Sequence, residues 1–122
     1  VVPRVSHFHQ EGRTVQMFAI KKTIRCYKGL LKSHRQSERP FHFIGHQANL
    51  RMLESVCDKC EIPPELHHCN VEKFGNTAGA GSATVISQNW DKWTAEDDLA
   101  VVGVGSGLTW SSYVMRFGAK KK

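Results

Sequence analysis

The sequence has no long apolar segment, and this absence sets the first limit on its function. No run approaches the ~20 apolar residues that a membrane-spanning helix needs. Hydrophobic residues make up 40% of the chain, as in an ordinary globular domain, and 122 residues suit one modest core. The first residues lack both an initiator methionine and the pattern of a signal peptide, so we expect the chain to start within a longer protein.

Cysteines are too few for the disulfide framework of a small secreted protein. There are four in the chain, and we therefore expect reduced thiols and a cytoplasmic protein. Two of them form the pair Cys57-x-x-Cys60. Zinc-ligand types follow at His67, His68 and Cys69. The paired cysteines complete the apolar face of a predicted helix, and the gap to the histidines is shorter than in a zinc finger. Small buried thiols are therefore favoured over a metal site.

Acidic residues are also scarce. Eleven Asp and Glu against 17 Lys and Arg give a net charge of +6, which predicts an acidic partner such as nucleic acid, coenzyme A phosphates or an acidic carrier protein. A helix is predicted from Gly12 to Ser33. Its apolar stripe is Met17, Ile20, Ile24, Tyr27 and Leu31. Its basic flank is Lys21, Arg25, Lys28 and Lys32. This flank is either solvated surface or a docking face for an acidic carrier protein.

The central stretch begins with a short apolar run, 41–44, which predicts a buried strand. Gly45 permits a turn, and a helix is predicted from Leu50 to Cys60. His46 therefore stands at the exit of a strand and ahead of a helix, where catalytic groups of α/β folds are commonly presented. A buried histidine bonded to a backbone carbonyl is the alternative for this position.

The second half repeats this alternation of turns and regular elements. A helix is predicted from Thr77, as its N-cap, to about Trp93, and Asn76 lies in the turn before it. Two glycines in its first turns cost roughly 1 kcal/mol each relative to alanine, which predicts close packing there. Strands are predicted at 99–104 and 108–117. The Gly105-Ser106-Gly107 connection between them lacks the pattern of a phosphate-binding loop.

Three motifs carry a family resemblance: His46-Gln47-Ala48-Asn49-x-Arg51, Gly75-Asn76-Thr77 and Gly105-Ser106-Gly107-Leu108-Thr109-Trp110. Together they resemble the β-ketoacyl-acyl-carrier-protein synthase III family, the initiating condensing enzymes of bacterial fatty-acid synthesis. The resemblance implies an α/β fold, namely half of a thiolase-like fold with a mixed β-sheet packed by helices. It also implies that residues 1–122 form the C-terminal half of such an enzyme. The basic end of the chain separately predicts a disordered tail at 119–122.

The resemblance implies a decarboxylative Claisen condensation of an acyl thioester with malonyl-acyl carrier protein, in fatty-acid or polyketide-like synthesis. Negative charge then develops on an enolate oxygen, which neutral N–H donors stabilise. His46 and Asn76 match the catalytic positions, and the Ser106 backbone amide matches an oxyanion-hole donor. Substrate contacts are implied for Asn49, Gly105 and Gly107. Contacts with carrier protein or coenzyme A are expected for Arg51, Lys21, Arg25 and Lys28. If this interpretation is right, the His46 and Asn76 side chains converge on one small cavity, with the 105–107 loop nearby.

The resemblance implies no metal and no resident cofactor, because the substrates are carried on coenzyme A or on the phosphopantetheine of acyl carrier protein. It implies an N-terminal half with the nucleophilic cysteine and a homodimer of the full-length enzyme, with no nucleic acid and no membrane span. None of the four cysteines matches that nucleophile, so we expect the chain to be inactive alone. The segment from Ala78 to Ala83, and Ser106 within the usual triple glycine, depart from the family and leave the acyl preference open. A non-catalytic module that binds carrier protein or acts as a scaffold is the alternative.

Overall fold

The computed structural model describes residues 12–105 and 108–118. Its helices are α1 (Gly12–His34), α2 (Leu50–Cys60), α3 (Val71–Phe74) and α4 (Ala80–Gln88). Its strands are β1 (Phe41–Ile44), β2 (Asp98–Gly105) and β3 (Thr109–Arg116). Short 3-10 turns occur at Pro64–Leu66 and Trp90–Lys92. The predictions for residues 1–10, for Ser106 and Gly107, and for the 119–122 tail lie outside the described residues.

The strands form one mixed sheet in the order β1-β2-β3. β1 and β2 are parallel, with Ile44 opposite Val101. β2 and β3 are antiparallel, with Gly105 opposite Thr109. The connection from β1 to β2 runs through α2, α3 and α4, as a parallel pair requires a crossover. The predicted mixed sheet packed by helices is confirmed.

The apolar strands are buried because helices cover both faces of the sheet. On one face, Phe43 and Val102 pack with residues of α1 and α2, including Tyr27 and Leu53. The Tyr27 ring meets the Phe43 ring edge-on, with 5.4 Å between centroids. On the other face, Val85 and Ile86 of α4 pack against Ile44, Leu99 and Val101. The sheet therefore lies between α1 and α2 on one side and α4 on the other.

The ends of α2 are set by local chemistry and lie where the sequence predicted them. The side chain of Asn49 caps the first turn by accepting a hydrogen bond from the Met52 N–H at 3.3 Å. At the other end, Glu61 adopts a left-handed conformation with φ of 55°, and the Ile62 N–H donates to the Cys57 carbonyl at 2.9 Å. The helix thus ends before the two prolines at 63 and 64.

Three predictions about helices need correction. Met17 is 53% exposed, whereas the rest of the predicted stripe packs on the core: Tyr27 is buried, and Ile20, Ile24 and Leu31 are partly buried against it. Thr77 does not cap α4, which begins only at Ala80, because Ala78 takes a φ of 54° and keeps the preceding turn out of the helix. The same helix ends at Gln88 and not near Trp93, as was predicted. The short helix α3 was not predicted.

The amino-terminal end of β2 is anchored by charge. Asp98 is fully buried, and Arg39 donates to its Oδ1 from Nε at 3.0 Å and from Nη2 at 2.9 Å. Arg116 donates to Oδ1 from Nε and to Oδ2 from Nη2, both at 3.0 Å. Burial alone would raise the pKa of Asp98, but the hydrogen bonds from both guanidinium groups lower it below its ordinary value. We call Arg39, Asp98 and Arg116 the arginine clamp.

A chain of imidazoles lies beside this clamp. His42 Nε2 is 2.8 Å from Asp97 Oδ1, and His42 Nδ1 is 2.9 Å from His68 Nε2. The Trp93 ring packs edge-on against both histidines. Burial, together with the neighbouring His42, lowers the pKa of His68 to about 4. His68 is therefore neutral at physiological pH.

Among the described helices, none has the length and hydropathy that crossing a membrane requires.

Candidate active site

The turn that leaves β1 depends on Gly45. A Cβ at this buried position would lie 2.5 Å from Leu53 Cδ2 and 2.9 Å from Phe43 Cζ, so a side chain is excluded unless the core moves. The Gly45 carbonyl accepts two hydrogen bonds, from Gln47 Nε2 at 2.8 Å and from Ser82 Oγ at 3.1 Å. The second bond joins this turn to the start of α4.

Gln47 connects the same turn to the rest of the core. Its side chain is fully buried, and its Oε1 accepts a hydrogen bond from the Asn70 N–H at 2.8 Å. A Cβ at Gly81 would lie 2.7 Å from the Cβ of Gln47, so the backbone of α4 approaches the turn closely. The predicted close packing is confirmed at Gly81. At Gly79, the other predicted glycine, a Cβ would have no neighbour within 4 Å.

His46 lies in this turn, between Gly45 and Gln47, and is partly buried. Burial lowers the pKa of the His46 imidazole below its ordinary value, so the ring is neutral at physiological pH. No hydrogen bond of the ring to another described residue occurs, so the alternative of a histidine bonded to a backbone carbonyl finds no support there. A neutral imidazole retains one N–H donor.

Asn76 lies in the turn that leads into α4 and is exposed. Its Oδ1 accepts a hydrogen bond from the Ala78 N–H at 2.9 Å, which leaves the Nδ2 amide group as its donor. This turn precedes the same helix that contacts the His46 turn through Gly81 and Ser82. The contacts bring the two segments together, whereas convergence of the His46 and Asn76 side chains on one cavity stays a prediction.

The glycine-rich connection starts at the same edge of the sheet. Because β1 and β2 are parallel, their carboxyl ends point the same way, and β2 continues from Val101, opposite Ile44, to Gly105. The expected substrate contacts of Gly105 and Gly107 and the Ser106 amide stay predictions, since Ser106 and Gly107 lie outside the described residues.

The other predicted contact residues lie on helix surfaces. Asn49 is exposed and caps α2, and Arg51 is exposed in the first turn of that helix. Lys21, Arg25 and Lys28 are exposed along α1, which contains no acidic residue. None of these cations forms an ion pair in the part of the chain that the structure describes. Binding of a carrier protein or coenzyme A by these residues stays a prediction.

The thiols are arranged as small partly buried side chains. Burial, with a contribution from the neighbouring Cys60, raises the pKa of Cys57 to about 12, and burial also raises the pKa of Cys60 and of Cys69. These groups are therefore protonated and poorly nucleophilic at neutral pH. Over residues 12–105 and 108–118, no three His, Cys, Asp or Glu side chains are grouped so as to hold a metal ion.

A sequence model described as 3-oxoacyl-[acyl-carrier-protein (ACP)] synthase III C terminal matches residues 32–117. The chain belongs to the 3-oxoacyl-[acyl-carrier-protein] synthase III family. Among curated relatives, the β-ketoacyl-[acyl-carrier-protein] synthase III of Staphylococcus saprophyticus is 32% identical over 119 residues, which are 95% of this chain and 38% of the relative. That of Staphylococcus haemolyticus is 36% identical over 110 residues, which are 88% of this chain and 35% of the relative.

Solved structures of the synthase III family share this fold. The Pseudomonas aeruginosa enzyme matches with a TM-score of 0.81 at 25% identity, over 93% of this chain and 36% of its own. The Thermus thermophilus enzyme matches with a TM-score of 0.85 at 26% identity, over 97% of this chain and 40% of its own. The chain thus spans less than half the length of these relatives, and it has the expected thiolase-like half-fold.

Sequence reasoning gave no role to Gln47, Asn70 or Ser82. Gln47 stands inside the first motif of the synthase III family, and Ser82 stands in the small-residue segment after Asn76. The motifs therefore include these residues but do not indicate their hydrogen-bond partners. The Asn70–Gln47 and Ser82–Gly45 bonds join residues 23 and 37 positions apart. Local spacing carries no information about contacts of that range.

Proposed function

We propose that this chain is the C-terminal catalytic half of a 3-oxoacyl-[acyl-carrier-protein] synthase III-type condensing enzyme. In this proposal His46 and Asn76 stabilise the enolate of a decarboxylative Claisen condensation. The observation that carries it is the neutral, partly buried His46 ring on a turn that is hydrogen-bonded to the helix after Asn76. Family membership and the three motifs support the same assignment.

The reaction explains why neutral donors suit this site. The bond between the malonyl carboxylate and its neighbouring carbon breaks, carbon dioxide leaves, and the electron pair forms an enolate on the thioester. The enolate carbon then attacks the acyl group carried by a cysteine of the N-terminal half and releases that thiolate. The His46 N–H and the Asn76 Nδ2 group would donate to the enolate oxygen without changing their own charge. The Ser106 amide would serve the acyl-thioester carbonyl.

The test uses the full-length synthase that contains this chain. Asn76→Asp is the sharpest variant, because a carboxylate still accepts the Ala78 N–H but removes the Nδ2 donor. We expect carbon dioxide release from the malonyl thioester to fall on the order of 100-fold in Asn76→Asp and in His46→Ala. Acylation of the nucleophilic cysteine by acyl-CoA is the internal control and should be retained. Unchanged decarboxylation in both variants would contradict the assignment.

We further propose that Lys21, Arg25, Lys28 and Arg51 bind an acidic acyl carrier protein. Their exposure and the absence of acidic residues in α1 support this. Replacing Lys21 and Arg25 by Glu should raise KM for the carrier-linked malonyl substrate at low salt and leave KM for the coenzyme A-linked substrate unchanged. Lys59→Glu, an exposed cation on α2, is the matched control. A KM for the carrier-linked substrate that stays at the parent value in the double variant would show that these residues are ordinary solvated surface.

The basic helix also favours a second candidate, a carrier-binding or scaffold module without catalysis. The condensing enzyme and the module differ in whether a cysteine of the complete protein becomes acylated. We expect labelled acyl-CoA to leave no stoichiometric acyl group on this chain, because burial raises the pKa of Cys57, Cys60 and Cys69. A full-length protein that is acylated at an N-terminal cysteine supports the enzyme, and one that binds carrier protein but never becomes acylated supports the module.

A further inference from the structure

The Gln47 side chain joins the turn that carries His46 to the chain segment at Asn70. Its amide nitrogen donates to the carbonyl of Gly45, the residue before His46, and its amide oxygen accepts from the backbone of Asn70. The side chain is fully buried, so neither bond competes with solvent. Both bonds join the Gln47 side chain to backbone groups, and each one fixes a different segment.

The contacts around Gln47 leave the turn little freedom to move. Ser82 Oγ donates to the same Gly45 carbonyl at 3.1 Å, and the backbone of α4 at Gly81 lies against the Gln47 Cβ. The Asn70 side chain continues the network by donating to Thr84 Oγ1 at 2.9 Å and to Gln88 Oε1 at 3.0 Å. A shift of the turn would break bonds to two other segments at once and would leave the Asn70 N–H buried without a partner.

We propose that Gln47 is a positioning residue for His46: its carboxamide fixes the turn against α4 and the segment at Asn70, and so fixes the orientation of the His46 ring. The catalytic consequence rests on the proposed function. The mechanism is geometric, because the fully buried Gln47 side chain acts on the turn through the Gly45 carbonyl, which belongs to the peptide group that precedes His46. A donor displaced by about 1 Å loses much of its effect on a transition state, of the order of 100-fold in rate.

The test compares Gln47→Met, which keeps the length of the side chain, with Ser82→Ala, which removes the other donor to the Gly45 carbonyl. Both are made in the full-length synthase. The first measurement is the pKa of the His46 imidazole by NMR, which needs no activity. We expect it to rise toward its ordinary value in Gln47→Met, because the loosened turn exposes the ring to water. The second is decarboxylation, with kcat expected to fall 10- to 100-fold and KM nearly unchanged. Ser82→Ala should raise the His46 pKa by a smaller amount and lower kcat a few-fold.

Arg39→Gln is the matched control, because it destabilises the protein at the arginine clamp, at the opposite end of the sheet. It should lower the midpoint of unfolding and leave both the His46 pKa and kcat unchanged. If it reduces kcat as much as Gln47→Met does, loss of stability explains the effect and the proposal fails.

The remaining outcomes separate positioning from the proposed function. An unchanged His46 pKa in Gln47→Met overturns positioning, as does a normal kcat in that variant when His46→Ala is inactive. A shifted pKa with full decarboxylation in both Gln47→Met and His46→Ala upholds positioning and overturns the catalytic role of His46. If Gln47→Met does not fold, the same criteria apply to Ser82→Ala, whose side chain is only partly buried.

Discussion

The two ends of the β1–β2 pair are held by different kinds of chemistry. At the amino-terminal end of β2, the ionised Asp98 is enclosed by Arg39 and Arg116. At the carboxyl end of β1, the bonds are neutral ones among Gln47, Ser82 and backbone groups, supported by the close approach of Gly81. Asp98 and Gln47, the central residues of the two ends, are both fully buried, so solvent exposure does not explain the difference.

With the proposed roles of Gln47 and His46, the contrast separates the groups that stabilise the fold from the groups that position the site. A buried charge must keep its partners, and losing one is expensive, so an ionic anchor suits a place where nothing has to react. A developing negative charge can be stabilised by neutral, pre-oriented N–H donors whose protonation state does not change. The arginine clamp therefore holds the sheet together at a distance from His46, while neutral hydrogen bonds set the geometry around it.

The largest effect is expected from Asp98→Asn. The change leaves two guanidinium groups without their carboxylate, and we expect the free energy of unfolding to fall by about 3–5 kcal/mol. Urea denaturation measures this, and Asp91→Asn, at an exposed position, is the control. The His46 pKa by NMR should be the same as in the parent protein. A loss below about 1 kcal/mol would show that the clamp is not the anchor of this end.

Gly81→Ala tests the opposite end. The new Cβ would lie 2.7 Å from that of Gln47, and such overpacking typically costs about 1–3 kcal/mol. Because the strain falls on the His46 turn, we also expect decarboxylation by the full-length synthase to decrease. Gly79→Ala is the matched control, since a Cβ there meets nothing within 4 Å. Equal effects of the two substitutions would contradict a special role for the contact with Gln47.

Acidification probes the imidazole chain beside the clamp. The pKa of His68 is lowered to about 4, so the native state resists a proton that the unfolded state binds near its ordinary value of 6.5. The contribution of His68 to stability is therefore complete above pH 6.5 and is lost as the pH falls toward 4. We expect a loss of about 1–2 kcal/mol over this window, which is smaller in His68→Gln. The lowered pKa values of Asp97 and Asp98 reduce stability mainly below pH 4 and contribute only at the acid end of this window.

Gly29→Ala should have the smallest effect and the opposite sign. Gly29 lies inside α1 with nothing within 4 Å of a Cβ, so alanine raises helix propensity without strain. We expect a gain of about 0.5–1 kcal/mol in the free energy of unfolding. A loss of stability at this position would mean that helical glycines away from the His46 turn also serve packing.

Sequence patterns predicted the elements whose signals are local. The bounds of β1 and α2 follow from an apolar run, from the spacing of the apolar residues of the helix and from the two prolines at 63 and 64 after its end. α4 was predicted too long, because the hydrogen bond from Ala78 to Asn76 favours a turn over a helix there. The roles of Gln47 and the arginine clamp depend on strand order, which brings together residues such as Arg39 and Asp98 that are 59 positions apart. No periodicity encodes such pairs, whereas the motifs indicated the family directly.

The parallel pairing of β1 with β2 also has a consequence for the kinetics of folding. Phe41 and Asp98 become neighbours only after the whole intervening segment has closed into a loop, whereas β2 and β3 pair across a short connection. We expect the β2–β3 hairpin to form early and the β1–β2 pairing to govern the rate of folding. Substitutions in β1 should then slow folding more than substitutions in β3 of equal equilibrium cost, as stopped-flow measurements can determine. The turn that carries His46 would acquire its shape only in that slow step, together with its contacts to α4.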